Sequence, residues 1–478
     1  MPRVVGRIGA RGIAELLGAW HPGRATSTAL HRAVRRLVLD GRLAPGTRLP
    51  AEREFAEALG VSRTLVVRAL ERLREDGFAE SRQGSGSWVR LPGDRAVADT
   101  GGWPPATPDL INLAQATLPA PPELTTALDR ARLRFPAHLA GHGYQALGLP
   151  ELRERIAETH TRRGLPTSPG QILVTNGAQH GFALVLRALI SPGERVLVEH
   201  PTYPNPLQAI RGVGAEAVAV PMLADGWDLE LMAATLQQAT PKLAYLIPDF
   251  QNPTGLRMSA ADRERLVAVL RRTRTTAVVD ETLVDLDLTG ETPPPPAAAF
   301  DEERVITLGS AGKSFWGGLR LGWVRAPEDL VRRLLLDRAA VDLGSPILEQ
   351  LLFTELLADA GPMLERRRAH IADLRSALIA ELAEQLPGWT FRVPDGGLAL
   401  WCDLGAPVSS RLAVEAEQHG LRLVPGSRFA VRGTLERYLR LPYTLPPGQQ
   451  GEVVRRLARA AARFEGAPDP GPLDVPIS

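Results

Sequence analysis

Apolar positions near the start of the chain recur with helical spacing. Ile13, Leu16, Leu17 and Trp20 share one face of a short helix that His21-Pro22-Gly23 ends, and a stripe this narrow predicts packing against a neighbouring domain. A second stripe, Leu30, Val34, Leu37 and Val38, predicts a helix capped by Ser27 and stopped at Gly41. After a turn over residues 44–50, a third helix near 51–59 buries Phe55 and Leu59. Gly60-Val61 turns the chain, and Ser62 caps a fourth helix that runs to about Asp76 on Val66, Ala69, Leu70 and Leu73. Phe78 to Arg90 then reads as two short strands around Gln83-Gly84-Ser85-Gly86.

The pattern changes after residue 91. Residues 92–108 are rich in Pro, Gly, Asp and Thr without periodicity and read as a linker. From 109 to 466, short apolar runs alternate with helical patterns. Ile172–Thr175, Arg195–Val198, Ala244–Ile247, Ala277–Val279 and Val305–Leu308 read as buried strands, separated in places by helices such as 177–190 and 260–273. This alternation predicts an α/β body with a largely parallel sheet. Helical segments over 327–386 and a final α+β stretch predict a smaller second lobe. The chain therefore divides into an N-terminal extension (1–26), a small helical domain with a β hairpin (27–91), the linker, the body (109–466) and a proline-rich, disordered tail (467–478).

Composition sharpens this picture in three ways. A chain of 478 residues exceeds one ordinary core. Its single cysteine, Cys402, excludes an internal disulfide framework and a cysteine-based zinc centre, and no metal site is expected. No apolar run reaches the roughly 18 residues of a membrane span, and the start does not read as a secretory leader, so a cytoplasmic protein is expected. The net charge of +2 is split: residues 1–92 hold 16 arginines and 9 acids, giving +7, and the remainder is −5. A basic head on an acidic body suggests that the head meets a polyanion. Only two of the 56 basic residues are lysines, Lys242 and Lys313. A lysine kept against that background points to a need for an amine that can lose its proton and attack a carbonyl.

In the head, two helices joined at Gly60 and followed by a glycine-tipped hairpin make a winged helix-turn-helix. Ser62, Arg63 and Thr64 occupy the first turn of the reading helix, and Arg68 follows one turn later on the same face. Arginine reads guanine edges, and hydroxyls bond phosphate or base. The runs Gly41-Arg42-Leu43-Ala44-Pro45-Gly46-Thr47-Arg48-Leu49-Pro50-Ala51-Glu52-Arg53 and Leu59-Gly60-Val61-Ser62-Arg63-Thr64, with Gly84-x-Gly86 in the wing, resemble the GntR family of bacterial repressors over residues 29–90. The resemblance implies a double-stranded operator contacted by Arg53, Arg63, Ser62 and Thr64, with Gln83 and Gly84 near the minor groove.

In the body, several separated motifs converge on Lys313. A pyridoxal 5′-phosphate site needs a Schiff-base lysine, a carboxylate for the pyridine nitrogen, a phosphate cup and an aromatic face. Lys313 supplies the amine and Asp280, at a strand end, the carboxylate. The backbone of Gly177, Ala178 and Gln179 at a helix start, with Ser310 and Arg320, can form the cup. Tyr203 can stack on the ring, Asn252 can bond its phenolic oxygen, and Arg440 can clamp a carboxylate in a bidentate fork. Each residue alone has an ordinary explanation, such as a helix cap, a core ring or a surface charge. Their order along residues 109–466 resembles that of class I aminotransferases of fold type I. The likeness implies a large and a small subdomain, and a homodimer in which Tyr144 reaches the neighbouring subunit's phosphate. Two positions depart from the family. It usually has a tyrosine two or three residues after the aspartate, where this chain reads Asp280-Glu281-Thr282-Leu283 and leaves Thr282 as a weak substitute. It often has serine before the lysine, where this chain has Gly312.

The whole chain is thus expected to be multidomain, a winged helix-turn-helix (mainly α, with a β wing) followed by an α/β transferase of fold type I. This combination resembles the MocR subfamily of GntR regulators. The likeness implies a transcription regulator that senses pyridoxal phosphate, or an amino compound joined to it as an aldimine, through an old enzyme pocket. A genuine aminotransferase carrying a DNA-binding head, and a DNA-binding scaffold with a vestigial pocket, remain open at this point.

Overall fold

The computed structural model describes residues 7–18, 20, 25–39, 43, 46–82, 86–90, 110–431, 435–446 and 448–464. The wing-tip residues Gln83 and Gly84, the linker over 92–108 and the tail over 467–478 lie outside them. In the head, α1 (Ala10–Leu17), α2 (Ser27–Leu39), α3 (Glu52–Leu59) and α4 (Arg63–Glu75) surround one core of Leu30, Val34, Phe55, Val66 and Leu70. Ile13 of α1 is fully buried in that same cluster, so the N-terminal segment is part of the head's own core. The cap of α2 differs from expectation by one residue. Thr26 accepts from Ala29 N at 3.1 Å, because a capping oxygen must precede the first helical residue to reach the third amide. Ser62 does cap α4, accepting from Leu65 N at 3.3 Å. Gly60, at φ +64°, takes the left-handed turn between α3 and α4. The wing is β1 (Ala79–Arg82) antiparallel to β2 (Gly86–Val89).

The body opens with a short strand β3 (Ile111–Asn112). Its large sheet is built from β4 (Ile172–Thr175), β5 (Arg195–His200), β6 (Glu216–Pro221), β7 (Leu243–Leu246), β8 (Thr276–Asp280), β9 (Val305–Ser310) and β10 (Gly322–Arg325). The order is β4-β10-β9-β8-β7-β5-β6, parallel except for β10, which runs against both neighbours. Val196, Val198, Tyr245, Val278 and Ile306 face one core, while Leu197, Ala244, Leu246, Ala277 and Val279 face another. Burial on both faces explains why these strands read as unbroken apolar runs. The small lobe is an antiparallel sheet of β11 (Thr390–Phe391), β12 (Ala399–Asp403), β14 (Val424–Pro425) and β15 (Tyr438–Pro442), in the order β11-β12-β15-β14. Beside it, β13 (Leu421–Arg422) pairs in parallel with β3. Among the described residues, no helix is long and apolar enough to cross a membrane.

Candidate functional site

Parallel strands place their C-terminal ends, and the loops that follow, along one edge of the large sheet, where ligands of open α/β folds bind. Asp280 ends β8, and Lys313 follows β9 in a single helical turn, Ala311–Ser314. Ser310 caps that turn by accepting from Gly312 N at 3.0 Å. The Lys313 amine donates to the carbonyl oxygen of Ala116 at 2.6 Å. Burial pushes this amine down to about 8, the Arg440 guanidinium acts in the same direction, and Asp280 opposes them. A side chain so shifted holds a useful fraction of free amine near neutral pH.

Both oxygens of Asp280 have donors. The Tyr245 hydroxyl donates to Oδ2 at 2.7 Å, and the Thr282 amide donates to Oδ1 at 2.9 Å. Tyr245 was not among the residues expected from the sequence. The signal was a lone tyrosine in an aliphatic strand. Tyr245 pairs with Val278, so it shares a sheet face with Asp280 two residues on. Burial, and then Asp280, hold its hydroxyl well above the usual tyrosine range, so it remains a donor.

The backbone expected to form a phosphate cup lies at a helix start. Gly177, at φ +92°, is the N-cap of the helix Ala178–Leu189 and aims the helix start at the cup. Arg320 adopts φ +54°, rare for a residue with a side chain, and its Nη2 donates to the carbonyl oxygen of Asn176 at 3.2 Å. A Cβ at Gly177 would lie 3.4 Å from that guanidinium, and one at Gly322 would lie 2.7 Å from Ala178 N. Gly322 therefore lets β10 approach the backbone at the start of that helix. Gln179 reaches the carbonyl oxygen of Asn205 at 3.5 Å. Tyr203, the N-cap residue of the helix Pro204–Gly212, accepts from Asn205 Nδ2 at 2.7 Å. Burial and then the charge of Asp280 raise its phenol.

The residue before Asn252 sits in a buried polar network. Gln251 donates to Glu199 at 3.0 Å and to the Pro201 carbonyl at 2.8 Å, and it accepts from Thr254 N at 3.0 Å. Glu199, which also accepts from Trp227 and from Ile247 N, is pushed by burial up to about 7. Arg440, on β15, donates to the carbonyl oxygen of Ala114 at 2.6 Å and lies 5.2 Å from the Phe429 ring centre. Burial pushes it down to about 10.

These residues fit a pyridine-ring phosphate with a reactive carbonyl. Thr282 Oγ1 and Arg440 Nε are buried without partners among the described residues, and both belong to the expected ligand set. The Lys313 amine feels the charges of Arg440 and Asp280, and the Tyr203 phenol feels those of Asp280, Arg440 and Arg320. Tyr144 does not join them within one chain; it is 60% exposed beside His142. In the head, Arg53, Ser62, Arg63, Thr64 and Arg68 are all exposed, and Arg63 pairs with Glu52 at 3.2 Å.

Two family patterns match the chain. Residues 108–457 match aminotransferase class I and II, and residues 26–89 match the bacterial regulatory proteins of the gntR family. The pyridoxine biosynthesis regulator PdxR of Corynebacterium glutamicum is 31% identical over 411 residues, covering 82% of this chain and 87% of that relative. The probable rhizopine catabolism regulatory protein MocR of Rhizobium meliloti is 28% identical over 431 residues, covering 84% and 86%. Among solved structures, LysN of Thermus thermophilus, an α-aminoadipate aminotransferase complexed with N-(5′-phosphopyridoxyl)-L-leucine, superposes with a TM-score of 0.69. It is 29% identical and covers 74% of this chain and 93% of that one.

Proposed function

Because the chain belongs to the MocR subfamily of GntR-type transcription regulators, a gntR-family head on an aminotransferase class I and II body, we propose that its body senses pyridoxal 5′-phosphate or an amino compound bound with it, and that the head reports the result on DNA. Pyridoxal phosphate, the cofactor of this family, supplies an aldehyde and an electron-poor ring. Lys313 binds it covalently. The Gly177, Ala178 and Gln179 backbone, with Ser310 and Arg320, holds the phosphate; Tyr203 covers the ring, and Asp280 keeps a proton on the pyridine nitrogen. Asn252 and Thr282 serve the polar edge. Arg440 forks onto the carboxylate of an incoming amino compound. In the head, Arg53, Ser62, Arg63, Thr64 and Arg68 contact an operator, with Gln83 and Gly84 at the wing tip.

The observation that carries this reading is the joining, in one chain, of an exposed basic reading helix to a pocket that keeps the lysine and the carboxylate clamp but has Leu283 near the place expected for a tyrosine. A homodimer completes the proposal. Leu139, Tyr144, Val341, Leu343 and Leu348 are exposed, and the segments around Gly143 and Gly344 lie side by side, which suits a second copy. Tyr144 would then enter the partner's phosphate site. The alternative, a working aminotransferase, draws on the likeness to LysN and on the same lysine and arginine.

One experiment separates the readings. DNA selected by the protein from a random pool is titrated with the full-length chain alone, with pyridoxal phosphate, and with pyridoxal phosphate plus a panel of amino acids. The sensor reading requires a change in affinity in at least one arm, because a switch must bind its ligand unequally in two states. Unchanged affinity in every arm, with steady amino transfer to a keto acid, selects the enzyme.

A further inference from the structure

The short segment Asn112–Thr117 touches both reactive groups of the pocket, and it does so through backbone. The carbonyl of Ala116 accepts from Lys313, and the carbonyl of Ala114 accepts from Arg440. The segment itself belongs to the small lobe. β3 pairs with β13, Ile111 N donates to Gly420 O, and Leu113 N donates to Arg422 O, each at 2.9 Å. Leu113, within it, and Leu118, just after it, are buried in the small-lobe core with Leu400, Leu439 and Leu441. Lys313, in contrast, follows a strand of the large sheet. The Lys313–Ala116 bond therefore crosses between the lobes.

Two further features give this bond a consequence. The side chains of Asn112, Gln115 and Thr117 line an open groove of about 910 Å³ among the described residues, shared with Glu417, His419 and Gln449. Upstream, the chain runs from Leu110 into the stretch that joins the body to the head.

We infer that Lys313 and Ala116 form a latch between the lobes, and that covalent capture of a cofactor aldehyde by Lys313 opens it, so that the segment carrying the head's tether is released. The inference rests on the sensor reading above. Once its third proton has gone to solvent, the amine forms a carbon–nitrogen double bond with the aldehyde carbon, and its two hydrogens leave with the aldehyde oxygen as water. A nitrogen bonded in this way keeps at most one hydrogen, fixed in the plane of the new bond, and Ala116 loses its donor. A carboxylate on an amino compound then competes with the Ala114 carbonyl for Arg440, because a charge-assisted fork outweighs a single bond to a neutral carbonyl. Cofactor and amino compound thus act on the same strap in two steps.

Amide hydrogen exchange over residues 110–118 of the full-length protein tests the latch. In the parent, pyridoxal phosphate is expected to speed exchange at Ile111, Leu113 and Ala114 by about tenfold, the scale of one lost hydrogen bond. Lys313→Ala, which has no donor and cannot condense, is expected to exchange at the fast rate without any addition and to bind the pool-selected DNA with the affinity of the loaded parent. Lys313→Arg keeps a donor but cannot condense, so pyridoxal phosphate should leave its strap slow. The latch is refuted if Lys313→Ala exchanges as slowly as the untreated parent, a result that needs no cofactor. It is also refuted if the coloured, loaded parent shows no change in the strap. In that last case a DNA response to the cofactor would leave the sensor reading standing. A parent that takes up the cofactor without any DNA response would fail that reading instead.

Discussion

Replacing Tyr245 with phenylalanine removes one hydroxyl and little else. The ring keeps its place against Phe182, 4.8 Å away between centres, while Asp280 Oδ2 loses the donor it holds at 2.7 Å. Tyr245 is 1% exposed and Asp280 is 9% exposed, so water does not readily replace the lost bond. A buried hydrogen bond to a charged group contributes about 1.5–3 kcal/mol. The matched body spans 350 residues (457 − 108 + 1). At about 2.1 cal/mol/K per residue, its unfolding entropy is roughly 0.7 kcal/mol/K, so a loss of about 2 kcal/mol lowers its melting temperature by about 3 °C. Calorimetry on the body's transition measures this in the parent, Tyr245→Phe, Asp280→Asn and the double variant. In the Asp280→Asn background the same phenylalanine should cost less than half as much, since the charged acceptor has gone. Equal losses in both backgrounds, or a change of under about 0.5 °C in the parent, would show that the hydroxyl does not hold the carboxylate and that its place beside Asp280 has no energetic weight.

Other predictions concern the pocket and the head. Because burial and Arg440 push the Lys313 amine down to about 8, the free-amine fraction rises as pH rises through that value. The rate of covalent cofactor uptake, followed by absorbance, should therefore climb from pH 6 and level off above about 8. A plateau near the ordinary lysine value of about 10.4 would contradict this. Gly177→Ala forces φ +92° on a residue with a Cβ and brings that carbon 3.4 Å from Arg320. It should weaken pyridoxal phosphate binding by about tenfold or more, with a smaller effect on pyridoxal, which has no phosphate to place. Arg63→Ala should abolish specific DNA binding and leave the head's melting unchanged. Its side chain is 70% exposed, and its bond to Glu52 is a surface pair contributing under about 1 kcal/mol. Loss of folding in that variant, seen by circular dichroism, would refute a purely DNA-facing role.

What the sequence revealed depended on how each contact is encoded. Strands buried on both faces leave continuous aliphatic runs, so β4, β7 and β8 could be placed to within a residue or two. β6 escaped notice because five of its six residues are incompletely buried, which blurs the pattern. Gly177, Asp280, Lys313 and Arg440 were legible because their chemistry depends on side-chain type or on a glycine's freedom. Tyr245 was hidden by its setting, since a phenol in a buried strand reads as core until the neighbouring strand's register places a carboxylate beside it. Ala114 and Ala116 were beyond reach for a stronger reason. They act through carbonyl oxygens that every residue possesses, and only the fold decides which of these meets Lys313 and Arg440.

Position 283 connects the chemistry to the proposed switch. A tyrosine two or three residues after Asp280 would place a hydroxyl at the cofactor's polar edge. Leu283 has none, and its side chain packs instead against the small-lobe core and lies near Gly397. Thr282 keeps a buried hydroxyl without a partner among the described residues, one weak polar group where an enzyme of this family uses a phenol. The residue after Thr282 therefore contributes to contact between the lobes at the end of the strand that carries Asp280. Losing a phenol would slow proton handling in transamination, whereas gaining an apolar lobe contact ties the aspartate's strand to the lobe that carries Arg440 and the Ala114–Ala116 carbonyls. For a catalyst this exchange is a loss. For the proposed sensor, the same exchange would place the ligand pocket and the contact between the lobes on one mechanical path.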